Sequence, residues 1–448
     1  MSFAPDIFAG QRFAVVGLGR NGLPVARALV AMGAAVTAWD DTAGARAQAT
    51  GLTVAEPALA GLDALVLSPG IPHTLPRPHP LAAAARAADV PILSDAELLF
   101  RAVRASGSRA RFAGITGTNG KSTTTALLAH IVATAGVPVA AGGNLGTPAL
   151  ALPRLPDDGV YVLEMSSYML ERLATLRFDA AAMLNLTPDH LDRHGDMAGY
   201  AAAKRAIFAR QDAGCTAALG IEDAPSRAMA DGLAARVVRI AADMPADVYA
   251  PDGVLRDAGG PICDLREAAA LPGAHNAQNA AAAAAMATAL GIPRAAIARG
   301  VLSYPGLPHR QERVGERGGV LFVNDSKATN ADSTARALAC YPRVVLIAGG
   351  IAKAGGIESL APFFPRIARA FLIGRDAPVL AATLAAHGVP HAVVETLERA
   401  VPAAWQAART QAPVVLLSPA CASFDQFSGF DARGERFRAL VQTLAEAA

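Results

Sequence analysis

The sequence predicts an α/β protein of three domains in series, and three observations carry that expectation. A strand, a glycine-rich turn and a helix-compatible run follow one another near Arg12 and again near Arg111, and an apolar strand running into a polar cluster restarts the pattern near Val320. The 448 residues exceed what one ordinary core organises, at roughly 150 residues per domain. Runs of Leu, Val and Ile recur at intervals that suit strands between helices, and no apolar stretch reaches the roughly 18 residues of a membrane span. The expected domains are 1–106, 107–306 and 307–448, with Ser106-Gly107-Ser108 as the first linker.

Composition narrows the partners. A net charge of +2, with basic residues scattered, gives no field that points to nucleic acid. Cys215, Cys263, Cys340 and Cys421 lie far apart and form no C-x-x-C pair, which suits a reducing cytoplasm and argues against a structural zinc site. Met1–Asp6 lacks the basic and apolar regions of a secretion signal, so a cytoplasmic protein without membrane insertion is expected.

In the first unit Arg12–Gly17 reads as a strand, Gly17-Leu-Gly19-Arg-Asn21-Gly22 as a pyrophosphate turn, the run to Met32 as a helix, and Ala35–Trp39 as a strand ending in Asp40-Asp41. This order is a dinucleotide-fold fingerprint, although the ligand need not be NAD. Ala64–Leu67 runs into Ser68-Pro69-Gly70, a turn placed at the ligand edge of the same sheet. His73 and His79, in the Pro-rich stretch beyond it, read as solvated.

The second unit opens with the strand Arg111–Thr116 and the loop Gly117-Thr118-Asn119-Gly120-Lys121-Ser122-Thr123. Its glycines let backbone N–H groups turn toward a polyphosphate, Lys121 would reach the β- and γ-phosphates, and Ser122 would sit on Mg²⁺. The strict phosphate-loop pattern is broken by Ile115 at its first glycine. Glu164, ending the strand Val160–Glu164, is the first metal candidate, about 40 residues past the loop as in phosphate-loop enzymes. The strand Ala180–Leu186 runs into Thr187-Pro-Asp189-His190-Leu-Asp192-Arg-His194, where His190 would hold or orient a second cation. Lys204, taken alone, reads as a solvated lysine. Asn276 either caps the Ala-rich helix that follows or, with Asn279, faces a purine.

Gly306-Leu-Pro-His-Arg310-Gln-Glu312 reads as a second hinge, and the third unit begins with the strand Val320–Val323. That strand ends in Asn324-Asp325-Ser326-Lys327-Ala-Thr329-Asn330, a cluster dense enough to mark a site. Arg343–Ala348 leads to Gly349-Gly350 and Lys353, and Pro413–Leu417 leads to Ser418-Pro-Ala-Cys-Ala-Ser423-Phe424-Asp-Gln-Phe427.

In this order the motifs GTNGKST, GGNLG, NLTPDHLDRH, GAHNAQN, GLPHRQE, NDSKATN and SPACASFDQF resemble the Mur ligase family over almost the whole chain. The resemblance implies an N-terminal Rossmann-like domain for a UDP-sugar, a central ATPase-like domain with a phosphate loop, and a C-terminal Rossmann-like domain for an amino acid. It implies an ATP-dependent acid–amino-acid ligase of peptidoglycan precursor synthesis working through an acyl phosphate. The resemblance, carried most specifically by NDSKATN and SPACASFDQF, implies D-glutamate as the amino acid, UDP-N-acetylmuramoyl-L-alanine as acceptor, a monomeric enzyme and two Mg²⁺ ions.

Residue by residue, the resemblance places Ser122 and Glu164 at the first metal and His190 at the second. Lys204 matches the family's carbamylated lysine (N6-carboxylysine), which reverses its solvated reading. Asn276 and Asn279 would meet adenine, Asp325 the ribose, and Arg310 a phosphate. Lys327, Thr329, Lys353, Ser423 and Phe424 would meet D-glutamate; Gly19, Asn21, Gly22, Asp40, Asp41 and Ser68 would meet UDP, with Asn144 beside the muramoyl arm. Two positions depart from the family. Met169 stands where Gln is usual, and Gly349-Gly-Ile-Ala-Lys353 is followed by Ala354-Gly-Gly356 where an acid is usual. Alternatives are a Mur or folylpolyglutamate-type ligase for another amino acid, and an NAD-dependent oxidoreductase resting on Gly17–Gly22 alone. The second leaves GTNGKST, Glu164 and Asp325 unexplained.

Overall fold

The strand Arg12–Val16 (β1) sits at the centre of an all-parallel sheet with Ala35–Trp39 (β2), Thr53–Val54 (β3), Ala64–Leu67 (β4) and Ile92–Leu93 (β5), in the order β3-β2-β1-β4-β5. Helices on either side leave β4 buried along its whole length, which is why it reads as an unbroken apolar run. This is a computed structural model, and it describes residues 1–353 and 355–444.

The second sheet contains Arg111–Thr116 (β6), Val139–Gly143 (β7), Val160–Glu164 (β8), Ala180–Met183 (β9), Thr216–Gly220 (β10), Arg236–Ile240 (β11), Val248–Tyr249 (β12), Val254–Asp257 (β13) and Gly260–Asp264 (β14). Its order is β14-β13-β12-β11-β10-β9-β6-β8-β7, parallel except where β13 pairs antiparallel with both neighbours. The sequence reading reached β6, β8 and β9 but named no strand at β7 and missed β10 to β14. Those strands are short, and β11 and β13 carry arginines that break the apolar run.

The first two sheets share one hydrophobic core. Phe100, on the helix Asp95–Ala105, meets Phe112 of β6 edge-on at 5.2 Å, and Phe112 stacks on Tyr161 of β8 at 4.9 Å. A buried carboxylate adds polar links. Glu97 accepts the N–H groups of Ala174, Thr175 and Leu176 at 3.0, 2.9 and 2.9 Å. The two sheets therefore form one compact unit, Met1–Ala268 with Ala274–Tyr304.

The second unit comprises Ala269–Gly273 and the chain from Pro305 onward. Its sheet contains Glu312–Arg317 (β15), Val320–Asn324 (β16), Val344–Gly349 (β17), Ile367–Ile373 (β18), His391–Glu395 (β19) and Val414–Leu417 (β20), in the order β15-β16-β20-β17-β18-β19. Sequence reading began this unit at Val320. The structure places β15 ahead of it, antiparallel to β16 through the turn Gly318-Gly319, where both glycines have positive φ. The polar, half-exposed face of β15 hid it among hinge residues.

Candidate functional site

The phosphate-loop residues leave β6 between β8 and β9 and enter the helix Lys121–Thr134, so the loop lies at the carboxyl edge of the sheet. Gly117 and Gly120 adopt φ of +149° and +85°, conformations that L side chains resist. The loop is pinned from β9's extension. Asn119 N–H donates to Asn185 Oδ1 at 2.9 Å, and Thr118 N–H to the Asn185 carbonyl at 2.8 Å.

Two lysines converge here. Lys121 Nζ turns back to donate to the Gly117 and Thr118 carbonyls, each at 2.8 Å, and Lys204 Nζ donates to the same Gly117 carbonyl at 2.9 Å. Lys204 is 2% exposed, against its reading as a solvated residue. Burial first, and then the Lys121 charge, hold its pKa well below the usual lysine range, with Asp189 and Glu164 opposing. Two lysine nitrogens donating to one carbonyl, with backbone N–H groups of the loop around them, make a centre rich in donors, the surroundings a polyphosphate would satisfy.

Glu164 ends β8 in register with Ile115 of β6 and Gly143 of β7. Asn144 Nδ2 donates to its Oε1 at 2.6 Å, while Oε2 is buried without a hydrogen-bond partner. An orphaned buried carboxylate oxygen beside a phosphate loop fits a divalent cation. Ser122 is buried at the head of the adjoining helix. Among the described residues no three His, Cys, Asp or Glu side chains could hold a metal together. A cation here would thus draw on a hydroxyl, a phosphate or a modified lysine as well. His190, at φ +52°, is half exposed, 3.4 Å from Asp189 Oδ2 and 5.2 Å from the Tyr168 ring. Desolvation outweighs Asp189, and Lys204 and Lys121 add to it, so the pKa of the imidazole is lowered and the balance shifts toward the neutral form, the one that binds metal.

Asn276 does not cap the Ala-rich helix, which starts at Ala274; it lies in the first turn. Asn279 Nδ2 donates to its Oδ1 at 3.0 Å, and Thr124 Oγ1 donates to Asn279 Oδ1 at 3.2 Å. Both asparagines are buried, so Asn279 braces the loop helix directly.

In the first sheet, Gly22 lets its helix pack on the turn, because a Cβ there would fall 1.8 Å from the Gly17 carbonyl. The Asp40 carboxylate accepts the Leu18 N–H at 2.7 Å and the Thr42 hydroxyl at 2.7 Å, and Ser68 Oγ donates to the Gly17 carbonyl at 2.7 Å. Gly19 is exposed and Asn21, half-buried, precedes the helix without capping it. His79 Nδ1 accepts the Leu81 N–H, so its Nε2–H donates to Asp41 at 3.1 Å. His73, expected to be solvated, is buried.

In the second unit Asp325 directly follows β16, and its carboxylate accepts from Ser418 Oγ at 2.8 Å and from the Gln311 N–H at 3.2 Å. Burial pushes it up to about 7, and Arg310 opposes that shift. Lys327 Nζ lies 3.9 Å over the Phe430 ring, Thr329 is half-buried, and Ser423 is buried. Phe424 and Lys353 are exposed, and Ala354 lies outside the described residues. Sequence reasoning missed Phe430 and Arg433. The buried Arg433 guanidinium donates to the Ser326, Cys421 and Gly349 carbonyls at 2.8, 3.1 and 3.3 Å. Its helix, Phe430–Gln442, is rich in charge and looks solvent-facing in sequence. Met169, at the first departure from the family, is buried in the core.

A glycine-turned loop on a parallel sheet, converging lysines and an orphaned carboxylate define a nucleotide-dependent phosphoryl-transfer site. The chain matches the Mur ligase middle domain over 115–287 and the Mur ligase, glutamate ligase domain over 309–421. It belongs to the Mur ligase family. It is 52% identical to the UDP-N-acetylmuramoylalanine--D-glutamate ligase of Paramagnetospirillum magneticum, over 97% of both chains. The enzyme of that name from Caulobacter vibrioides is 49% identical, over 98% of this chain and 97% of its own. Among solved structures, UDP-N-acetylmuramate-alanine ligase from Thermotoga maritima shares the fold with a TM-score of 0.62 at 17% identity, covering 97% of this chain and 99% of that one.

Proposed function

We propose that this chain joins D-glutamate to UDP-N-acetylmuramoyl-L-alanine, with ATP converted to ADP and phosphate. The observation that carries the reading is the convergence of Lys121 and Lys204 on the Gly117 carbonyl beside the half-satisfied Glu164. The two relatives described above, each about half identical to this chain along nearly its whole length, carry that substrate pair in their names.

The acceptor carboxylate alone is a poor electrophile, because its charge repels an amine and oxide is a poor leaving group. A carboxylate oxygen bonds to the γ-phosphorus as the bond to ADP breaks; the amine nitrogen then bonds to the acyl carbon, phosphate departs, and the nitrogen loses a proton. Lys121 exchanges its two loop carbonyls for phosphate oxygens, and the loop N–H groups share the developing charge. Ser122, Glu164 and His190 would hold Mg²⁺, in two ions, which supply charge neutralisation for the phosphates. Lys204, whose charged form burial disfavours, suits attack on CO₂ through its amine form, which forms an N–C bond, releases a proton and yields an anionic ligand. Asn276 and Asn279 serve adenine, Asp325 the ribose and Arg310 a phosphate. D-Glutamate meets Lys327, Thr329, Lys353, Ser423 and Phe424. The UDP-sugar lies along Gly19, Asn21, Gly22, Asp40, Asp41 and Ser68, with Asn144 beside its lactyl arm.

We assign these tasks to 1–106, 107–306 and 307–448, in a cytoplasmic monomer. Among the described residues no helix is long and apolar enough to cross a membrane. The test is phosphate release from ATP with the UDP-muramoyl-alanine acceptor, comparing D-glutamate, L-glutamate, L-alanine and diaminopimelate. D-Glutamate should stimulate release most, and no stimulation by it would overturn the reading.

A further inference from the structure

Two arginines from the second sheet's loops grip the turn that follows β4 in the first sheet. Arg172, just past the short helix Ser167–Leu170, is 3% exposed. Its guanidinium donates to the Ile71 carbonyl at 2.6 Å, the Leu67 carbonyl at 3.0 Å, the Ser68 carbonyl at 3.4 Å and Nδ1 of His73 at 3.3 Å. Arg193, on the helix Leu191–His194, donates to the Gly70 carbonyl at 3.0 Å while lying 4.4 Å over the Tyr168 ring. Four carbonyls of one turn are thus taken by side chains from the neighbouring sheet.

The gripped turn also shapes the glycine loop. Ser68 donates to the Gly17 carbonyl, and a Cβ on Gly17 would meet Ile71 Cδ1 at 2.7 Å and Ser68 Cβ at 2.8 Å. At the other end, Arg193 is three residues beyond His190, and Arg172 follows Glu171, whose carboxylate lies 3.3 Å from His194 Nδ1 and 3.9 Å from His73 Nε2. His194 Nε2 in turn pairs with Ser167 Oγ at 2.9 Å. Hydrogen bonds and close His–carboxylate pairs therefore join the glycine turn to the helix that follows the second metal candidate, His190. An apolar side chain could fill the same volume, but it could not fix the direction of four carbonyls.

We propose that Arg172 and Arg193 are positioning residues that hold the acceptor-binding turn in register with the phosphoryl-transfer loop. This rests on the placement of the UDP-sugar at Gly19–Gly22 and Ser68 proposed above. In-line attack tolerates little error, since a displacement of about 1 Å can cost roughly 100-fold in rate.

The test is a steady-state comparison of Arg172→Lys, Arg193→Ala, Arg193→Lys and Asp40→Asn, with thermal unfolding as a check on folding. Arg193→Ala should raise the acceptor KM about tenfold, as for one charge-assisted hydrogen bond, with the ATP KM unchanged, and Arg193→Lys should recover part of it. Arg172→Lys, which cannot span several carbonyls, should raise the acceptor KM further and lower kcat. If Arg172→Lys fails to fold, Arg193→Ala and Arg193→Lys decide the matter. Acceptor and ATP KM rising together, or neither moving while Asp40→Asn raises the acceptor KM, would overturn the positioning role and leave the UDP-sugar placement standing. An acceptor KM untouched by Asp40→Asn would overturn both.

Discussion

Gly120 is the position where the loop tolerates least. It heads the helix Lys121–Thr134 at φ +85°, and a Cβ there would stand 2.2 Å from Asn279 Oδ1 and 3.1 Å from Leu184 Cδ1. Asn279 cannot swing aside freely, because Thr124 and Asn276 hold the two ends of its amide. Gly120→Ala therefore carries a left-handed backbone cost of about 1–2 kcal/mol. Displacing Asn279 adds the loss of two buried hydrogen bonds, about 0.5–1.5 kcal/mol each. Together these give about 2–5 kcal/mol. In an Asn279→Ala background the closest obstacle is gone, the flexible Leu184 end can give the few tenths of an ångström needed, and chiefly the backbone part, about 1–2 kcal/mol, should remain. The two substitutions should thus couple by about 1–3 kcal/mol. The chain has two tryptophans, Trp39 in the first unit and Trp405 in the second. Urea unfolding of Trp405→Phe variants without nucleotide, followed by Trp39 fluorescence, reads the first unit. Equal cost of Gly120→Ala in both backgrounds, or no cost in either, would refute the reasoning.

Lys204→Ala should abolish most phosphate release, and bicarbonate with a short carboxylic acid should restore part of it; an unchanged rate would remove Lys204 from the site. Asp325, pushed by burial from 3.8 to about 7, keeps a proton in the fold that the unfolded chain releases, so its contribution is full below the lower value and is lost as pH rises to the higher one. Trp405-monitored unfolding should show this fall, and Asp325→Asn should flatten it; identical slopes would count against a buried neutral carboxyl. Desolvation pushes His73 and His194 from 6.5 to about 3 and about 4. The unfolded chain takes up protons there first, so the first unit should lose stability as pH falls below 6.5, by up to about 1.4 kcal/mol per pH unit for each histidine. A His73→Gln, His194→Gln double variant, read by Trp39, should lose that slope.

What could be read ahead of the structure followed from local patterning. β1, β4, β6 and β8 carry near-continuous apolar runs because helices cover both faces of the sheet, and the glycines at 17, 22, 117 and 120 sit where a Cβ would collide or φ is positive. Glu164 and the loop lysine were visible because strand ends place side chains predictably. The buried state of Lys204 was not legible from spacing, since a helix with three alanines before it looks solvated until Tyr200 and the loop cover it. Arg172, Arg433 and Glu97 left no signal either. Each is a charged residue whose partners are backbone groups far away in sequence, and no local period encodes such a contact. His73 was misread for the same reason, its burial being set by Arg172.

The short segment Ala269–Gly273 groups with the second unit although Ala274 at once begins a helix of the first. The chain therefore changes unit three times, at 268/269, 273/274 and 304/305. A gene cut at Pro305 yields a fragment without its own N-terminal strap, including the Pro272 carbonyl that accepts from the Cys340 thiol at 3.6 Å. Recombination at that junction between related ligases would pair one parent's strap with another parent's unit. The exchangeable module is thus two pieces of sequence, and chimeras that move both should assemble more readily than those that move the longer piece alone.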